Sequence, residues 1–280
     1  MAHCNIENGV QPVIKSYAPS RFGQLHYVEE GAGLPVILLH QTPRSWDEYR
    51  DVVPLVGQHA RAIAMDTVGF GASARVEERF SIELFADGVV DLIDHLKLPE
   101  VVLVGHHTGG VIALEVSARL PESVRGLFLS GTPFVDAPRR ARVAGAAPID
   151  HVKVDPTGAH LSQLWACRSP FYPSGQAELL NRFVADALRV IDRVEEGHQA
   201  VNKYEMESRI GLVKAPTQIV CGELDYYSLT DLKKFVSHIE GAQTLVLPET
   251  GVPAVDHHPQ AFAEAVIDFL ARLPVSRTAR

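Results

Sequence analysis

The chain has 280 residues, 46% hydrophobic and 21% charged, with a formal net charge of −8. That is ample for a buried core and excludes a disordered chain, and the mixed charge pattern, with no basic block, argues against nucleic acid or an anionic membrane as partner. Cys4, Cys167 and Cys221 lack the CxxC spacing of a disulfide framework or zinc site, and no metal site is expected. The N-terminus has neither a basic nor an apolar leader region, and no apolar run reaches the roughly 18–20 residues of a membrane span. The expectation is a cytoplasmic protein acting on a small molecule.

Short apolar runs alternate with helical patterns, which predicts a mostly parallel sheet flanked by helices. A leading antiparallel hairpin is expected from the stretch around Ser16 and from Gln24 to Val28. Pro35 to Leu39 reads as the first buried strand. Ser45 to Glu48 reads as a capping box opening a helix. Arg61 to Met65 is the next strand, and Ile82, Phe85, Val89, Leu92, Ile93 and Leu96 mark one face of a helix. Val101 to Val104, Val124 to Leu129, Thr217 to Cys221 and Thr244 to Leu247 complete the strand series. A last helix starts near Pro259 and carries Phe262, Val266, Phe269, Leu270 and Leu273.

Between about 136 and 211 the strand-like runs vanish and helical segments appear, punctuated by Pro148, Pro156, Gly158, Pro170, Pro173 and Gly175. The division predicted is a core of residues 1–135 and 212–280 with a helical cap of 136–211. An exposed cap or edge strand would suit a homodimer.

Ligands of open α/β sheets bind beyond the carboxyl ends of the strands. There the strongest motif is Gly105-His106-His107-Thr108-Gly109-Gly110, between a strand and a helix. Its glycines permit the tight turn that lifts a central side chain, here His107, out of the sheet. The Thr108 amide, at the helix N-terminus, is placed to meet a developing oxyanion. His106, one residue earlier, should point away into the core. Asp256, His257 and His258 read as a solvated helix N-terminus rather than a metal site.

With these motifs the chain resembles the α/β-hydrolase superfamily over nearly its whole length. His40-Gln41-Thr42-Pro43 is similar to the family's oxyanion turn, with Gln41 in place of glycine. Asp66 to Ser73 is similar to its D-x-x-G-x-G-x-S loop, and Gly222-Glu223-Leu224-Asp225 to the segment that carries its acid. The resemblance implies a hydrolase whose acid is Asp225 and whose oxyanion hole is Gln41 with Thr108. Two departures stand out. The nucleophile position holds His107, and the family's base histidine is replaced by Val252.

A His107–Asp225 pair suits general-base work, because a carboxylate behind one ring nitrogen raises the basicity of the other. The leading expectation is cofactor-free hydrolysis of an ester, a lactone or a C–C bond. A lyase or isomerase using His107 as proton shuttle, and a non-catalytic ligand binder, remain alternatives. His40, Arg44, Trp46, Trp165 and Tyr204 are the candidate substrate-binding residues, His40 by bracing the oxyanion turn. Arg44 hints at an anionic group on the substrate.

Overall fold

The computed structural model describes residues 13–274. Eight strands form one sheet in the order β1-β2-β4-β3-β5-β6-β7-β8. β1 (Ile14–Ser20) and β2 (Gly23–Glu30) form the leading antiparallel hairpin, and β2 is antiparallel to β4 (Arg61–Met65). The other strands run parallel: β3 (Pro35–Leu39), β5 (Val101–His106), β6 (Val124–Ser130), β7 (Thr217–Gly222) and β8 (Gln243–Leu247).

The continuous apolar runs follow from burial on both faces, since successive side chains point to opposite sides. Ile37, Leu39, Leu103, Leu127 and Leu129 join the core on one face. Val36, Leu38, Val102, Val104 and Phe128 join the core on the other. The first face is covered by α2 (Ile82–His95) and α3 (Thr108–Arg119), the second by α1 (Val53–Gly57) and α10 (Pro259–Ala271). Phe128 stacks edge-on against Phe262 on α10 and is wholly buried. Truncating such a ring costs about 3–5 kcal/mol.

β6 and β7 are separated by α4 (Ala137–Val143), α5 (Ala159–Arg168), α6 (Ala177–Leu188) and α7 (Val194–Lys203). This insertion has a small apolar cluster of its own: Val152, Leu164, Leu180, Phe183 and Ala187, with Trp165 packed against it. α8 (Leu232–His238) follows β7, and α9 (Ala254–His257) precedes α10. No helix among the described residues is long and apolar enough to cross a membrane.

The Ser45–Glu48 pattern behaves differently from a capping box. The segment is a short 3-10 helix, Trp46–Tyr49, capped by Ser45 Oγ accepting from the Asp47 amide. Glu48 turns away from the cap and grips Gln41 instead. Asp256, expected on a solvated helix end, is buried and lies 2.5 Å from Arg44 Nη1. A buried guanidinium requires carboxylates around it, and Asp256 supplies one. Cys4 lies outside the described residues.

Candidate active site

β5 ends at His106, and the chain turns sharply at His107, whose φ of 45° and ψ of −110° lie outside the regions ordinary residues favour. The glycines around it are required by contact. A Cβ on Gly109 would lie 1.9 Å from the Leu39 carbonyl oxygen, and one on Gly105 2.2 Å from that of Gly109. The His107 amide donates to the Ser130 carbonyl at 2.9 Å, which ties the turn to the end of β6. α3 then starts at Thr108, directly after His107, and its Gly110 and Val111 amides bond back to the His107 carbonyl at 3.0 and 3.3 Å, so the positive end of the helix dipole adjoins the turn.

Asp225 follows β7 and is buried, 1% exposed. Its Oδ1 accepts from the amides of Tyr227 and Ser228 at 3.2 and 3.3 Å. Its Oδ2 lies 3.5 Å from His107 Nε2, within ion-pair reach but beyond a hydrogen bond, and Nε2 has no other partner among the described residues. Burial pushes the Asp225 carboxyl up, but the neighbouring His107 imidazole and Ser228 outweigh it and hold it below its usual range. Gly131, with a φ of +52°, leaves the gap in which the two side chains meet. A Cβ there would lie 2.9 Å from His107 Nε2 and 3.1 Å from Asp225 Oδ2.

The turn at His40-Gln41-Thr42-Pro43 departs from one expectation. The Gln41 amide is already used: it donates to Glu48 Oε2 at 2.9 Å, while Gln41 Nε2 donates to Oε1 at 2.7 Å. The Thr42 amide makes only a long 3.3 Å bond to Thr108 Oγ1, beside the N-terminus of α3. Thr42 therefore replaces Gln41 as the residue whose backbone N–H is available next to that of Thr108. Burial pushes the Glu48 carboxyl up to about 7, against the opposing pull of Arg44.

His107, Thr42 and Thr108 face a cavity of about 250 Å³. Val252 also borders it. The insertion contributes Arg139, Arg168, Phe171 and His198. His106 is buried, with Ser130 Oγ donating to Nδ1 at 3.1 Å and Nε2 donating to the Val252 carbonyl at 3.0 Å. Burial holds its imidazole neutral, well below its usual pKa.

Four expected substrate-binding residues lie away from this cavity, and His40 stands behind it. Arg44 is wholly buried, held by Asp186 at 2.9 Å and by Asp256. Burial disfavours its charge, but Asp256, Tyr172, Glu48 and Asp186 outweigh that and keep it fully cationic. Trp46 borders a separate surface cleft with Arg182 and Asp186. Trp165 packs into the insertion's own cluster. Tyr204 is buried, its hydroxyl donating to Glu115 at 2.6 Å. His40 donates from Nδ1 to the Gln41 carbonyl at 2.8 Å and accepts from the Thr67 amide at 3.0 Å, so it braces the turn from behind.

Sequence reasoning missed His198 and Arg139. His198 Nε2 lies 2.6 Å from Oδ2 of the buried Asp150, which also holds Arg168. Asp150 and His198 are 48 positions apart and share no motif, so only packing unites them. Among the described residues, no three His, Cys, Asp or Glu side chains converge as a metal-ligand set.

Residues 35–150 match the family described as alpha/beta hydrolase fold. Over 276 residues the chain is 26% identical to 2-hydroxy-6-oxo-6-(2'-aminophenyl)hexa-2,4-dienoic acid hydrolase of Metapseudomonas resinovorans, covering 89% of this chain and 88% of that one. It is 33% identical over 136 residues to bifunctional epoxide hydrolase 2 of Sus scrofa. That match takes in 48% of this chain but only 24% of the porcine protein, so the chain spans about a quarter of that relative's length. The crystal structure of the enol-lactonase from Burkholderia xenovorans LB400 superposes with a TM-score of 0.73 at 19% identity, covering 91% of this chain and 100% of that chain.

Proposed function

The chain has the α/β-hydrolase fold, and on that premise we propose that it is a cofactor-free hydrolase of a small carbonyl compound, an ester, a lactone or a C–C bond. The observation that carries the reading is His107 at the strained strand-to-helix turn, facing the cavity with Asp225 at 3.5 Å. The names of a C–C hydrolase and an enol-lactonase among its relatives support that range of substrates.

In this reading the helical insertion is a cap that closes the substrate cavity. The substrate carbonyl oxygen sits against the amides of Thr42 and Thr108, where negative charge develops. His107 Nε2–H faces Asp225, so Nδ1 carries the lone pair that takes a proton from water. The hydroxide formed adds to the carbonyl carbon, and the imidazolium returns its proton to the leaving group. Asp225 stabilises the imidazolium in between.

A second reading is favoured by the His198–Asp150 pair on the same cavity. Two imidazoles, each beside a carboxylate, suit proton removal at one carbon and delivery at another, the chemistry of a lyase or isomerase. A panel of p-nitrophenyl acetate, γ-butyrolactone and simple β-diketones, followed for wild type and His107→Ala, tests the first reading. Hydrolysis lowered by about 100-fold or more in the variant is the expected result. Equal rates would overturn it.

A further inference from the structure

We propose that this cavity selects a carboxylate-bearing compound with an apolar body, and that Arg139 meets its negative charge. The inference rests on the reading of the cavity as the substrate site. It starts from a charge imbalance. The protein carries a net charge of −8, yet the described residues lining the cavity include two arginines and two histidines and no acid.

Three of these four groups have a close carboxylate of their own. Arg168 Nε lies 2.6 Å from Asp150 Oδ1, and His198 lies 2.6 Å from Oδ2 of the same residue. His107 has Asp225 at 3.5 Å. Arg139 is the exception. Its nearest carboxylate contact is Asp231 Oδ2, 3.8 Å from Nη1. That oxygen already accepts from the Phe134 amide at 2.9 Å, and Lys234 stands 3.4 Å from Oδ1. Asp136, on the neighbouring turn, takes the Arg139 backbone amide at 2.8 Å and Lys234 at 3.0 Å.

Arg139 Nε is consequently buried with no hydrogen-bond partner among the described residues. A guanidinium nitrogen shut off from water and left unbonded is a standing cost. Burial also draws the Arg139 pKa down, with Asp231 only partly opposing it. An incoming carboxylate offsets the second cost, because it supplies the negative charge that Asp231 gives only in part. The planar guanidinium offers paired N–H groups in the fork that a carboxylate matches with two parallel bonds. Pro133, Ile149, Phe171, Val201 and Val252 give the wall an apolar stretch, beside the polar Gln41, Thr42, Thr108, Asn202 and Tyr227, and that stretch calls for a hydrocarbon or aromatic body. A volume of about 250 Å³ suits a single ring or a short chain.

The test is calorimetric titration of the intact chain at pH 7 with benzoate and with benzamide, which share shape but not charge. Wild type should bind benzoate at least about tenfold tighter. Arg139→Gln should lose that preference, and Arg139→Lys should keep part of it. Equal binding of the two probes, no binding of either, or a preference unchanged in Arg139→Gln would overturn the proposal. The wild-type comparison needs no variant, so a poorly folded Arg139→Gln leaves it decisive. Binding also needs no turnover: preference for benzoate without hydrolysis of any ester would sink the hydrolase reading and leave the anion site standing.

Discussion

Gly131→Ala places one methyl group between the two proposed catalytic side chains. The backbone there has φ of +52°, and an L-residue in that region costs about 1–2 kcal/mol. For a protein of this size that lowers Tm by roughly 2–8 °C. The new Cβ would start 2.9 Å from His107 Nε2, closer than real Cβ contacts come, and 3.1 Å from Asp225 Oδ2, tighter than most, so the His107 ring must shift from its place beside Asp225. The charges of an imidazolium and a carboxylate attract by about 5 kcal/mol at their present separation and about 4 kcal/mol one ångström further apart, with an effective dielectric of about 20. Losing ~1 kcal/mol of transition-state stabilisation is roughly a fivefold loss, and the disturbed aim of the imidazole adds to it. The expected fall in kcat/KM is tenfold or more, approximately, on the ester that wild type hydrolyses fastest. Gly241→Ala is the control. Its φ is +72° with nothing within 4 Å of an added Cβ, so it carries the same backbone strain far from the site. Equal activity of the two variants would refute the account of Gly131 and of the pair it separates.

Glu48 makes stability depend on pH. Its folded pKa of about 7 lies above the ordinary 4.5, so between these values the folded chain holds a proton that the unfolded chain has lost. Stability from this group therefore falls as pH rises through that window, by ~3 kcal/mol in all. Denaturant titrations at pH 5 and pH 8 should show this drop in wild type and its absence in Glu48→Gln; parallel pH dependence in the two would count against it. Arg44→Met should destabilise the fold by about 3–5 kcal/mol, because Asp256 and Glu48 would remain buried without their cation. A change under 1 kcal/mol, approximately, in urea unfolding would mean that those carboxylates are neutral already.

The sheet was legible because β3 to β7 are buried on both faces and leave unbroken apolar runs between glycine- and proline-marked turns. The His107 turn was legible for a related reason. The approach of Gly109 to the Leu39 carbonyl admits no side chain, so backbone geometry is written as a glycine pattern. Partners of long polar side chains leave no such mark. Arg44, the residue directly after the turn, could have faced the cavity or the interior, and its choice depends on Asp186 and Asp256, 142 and 212 positions away. The shift of the available amide from Gln41 to Thr42 depends on Glu48 turning back by seven residues, whereas its spacing from Ser45 suggested a helix cap. Arg139 and His198 reach the cavity only through the packing of the insertion's helices, for which local periodicity gives no direction.

The central claim is that His107 and Asp225 act as one unit, and a double-mutant cycle tests it most directly. Kcat/KM would be measured for wild type, His107→Ala, Asp225→Asn and the double variant on one ester substrate. The account predicts that each single change lowers the rate by about 100-fold or more, and that the double variant is no slower than His107→Ala. An Asp225→Asn variant as active as wild type, or losses that simply multiply in the double variant, would contradict it.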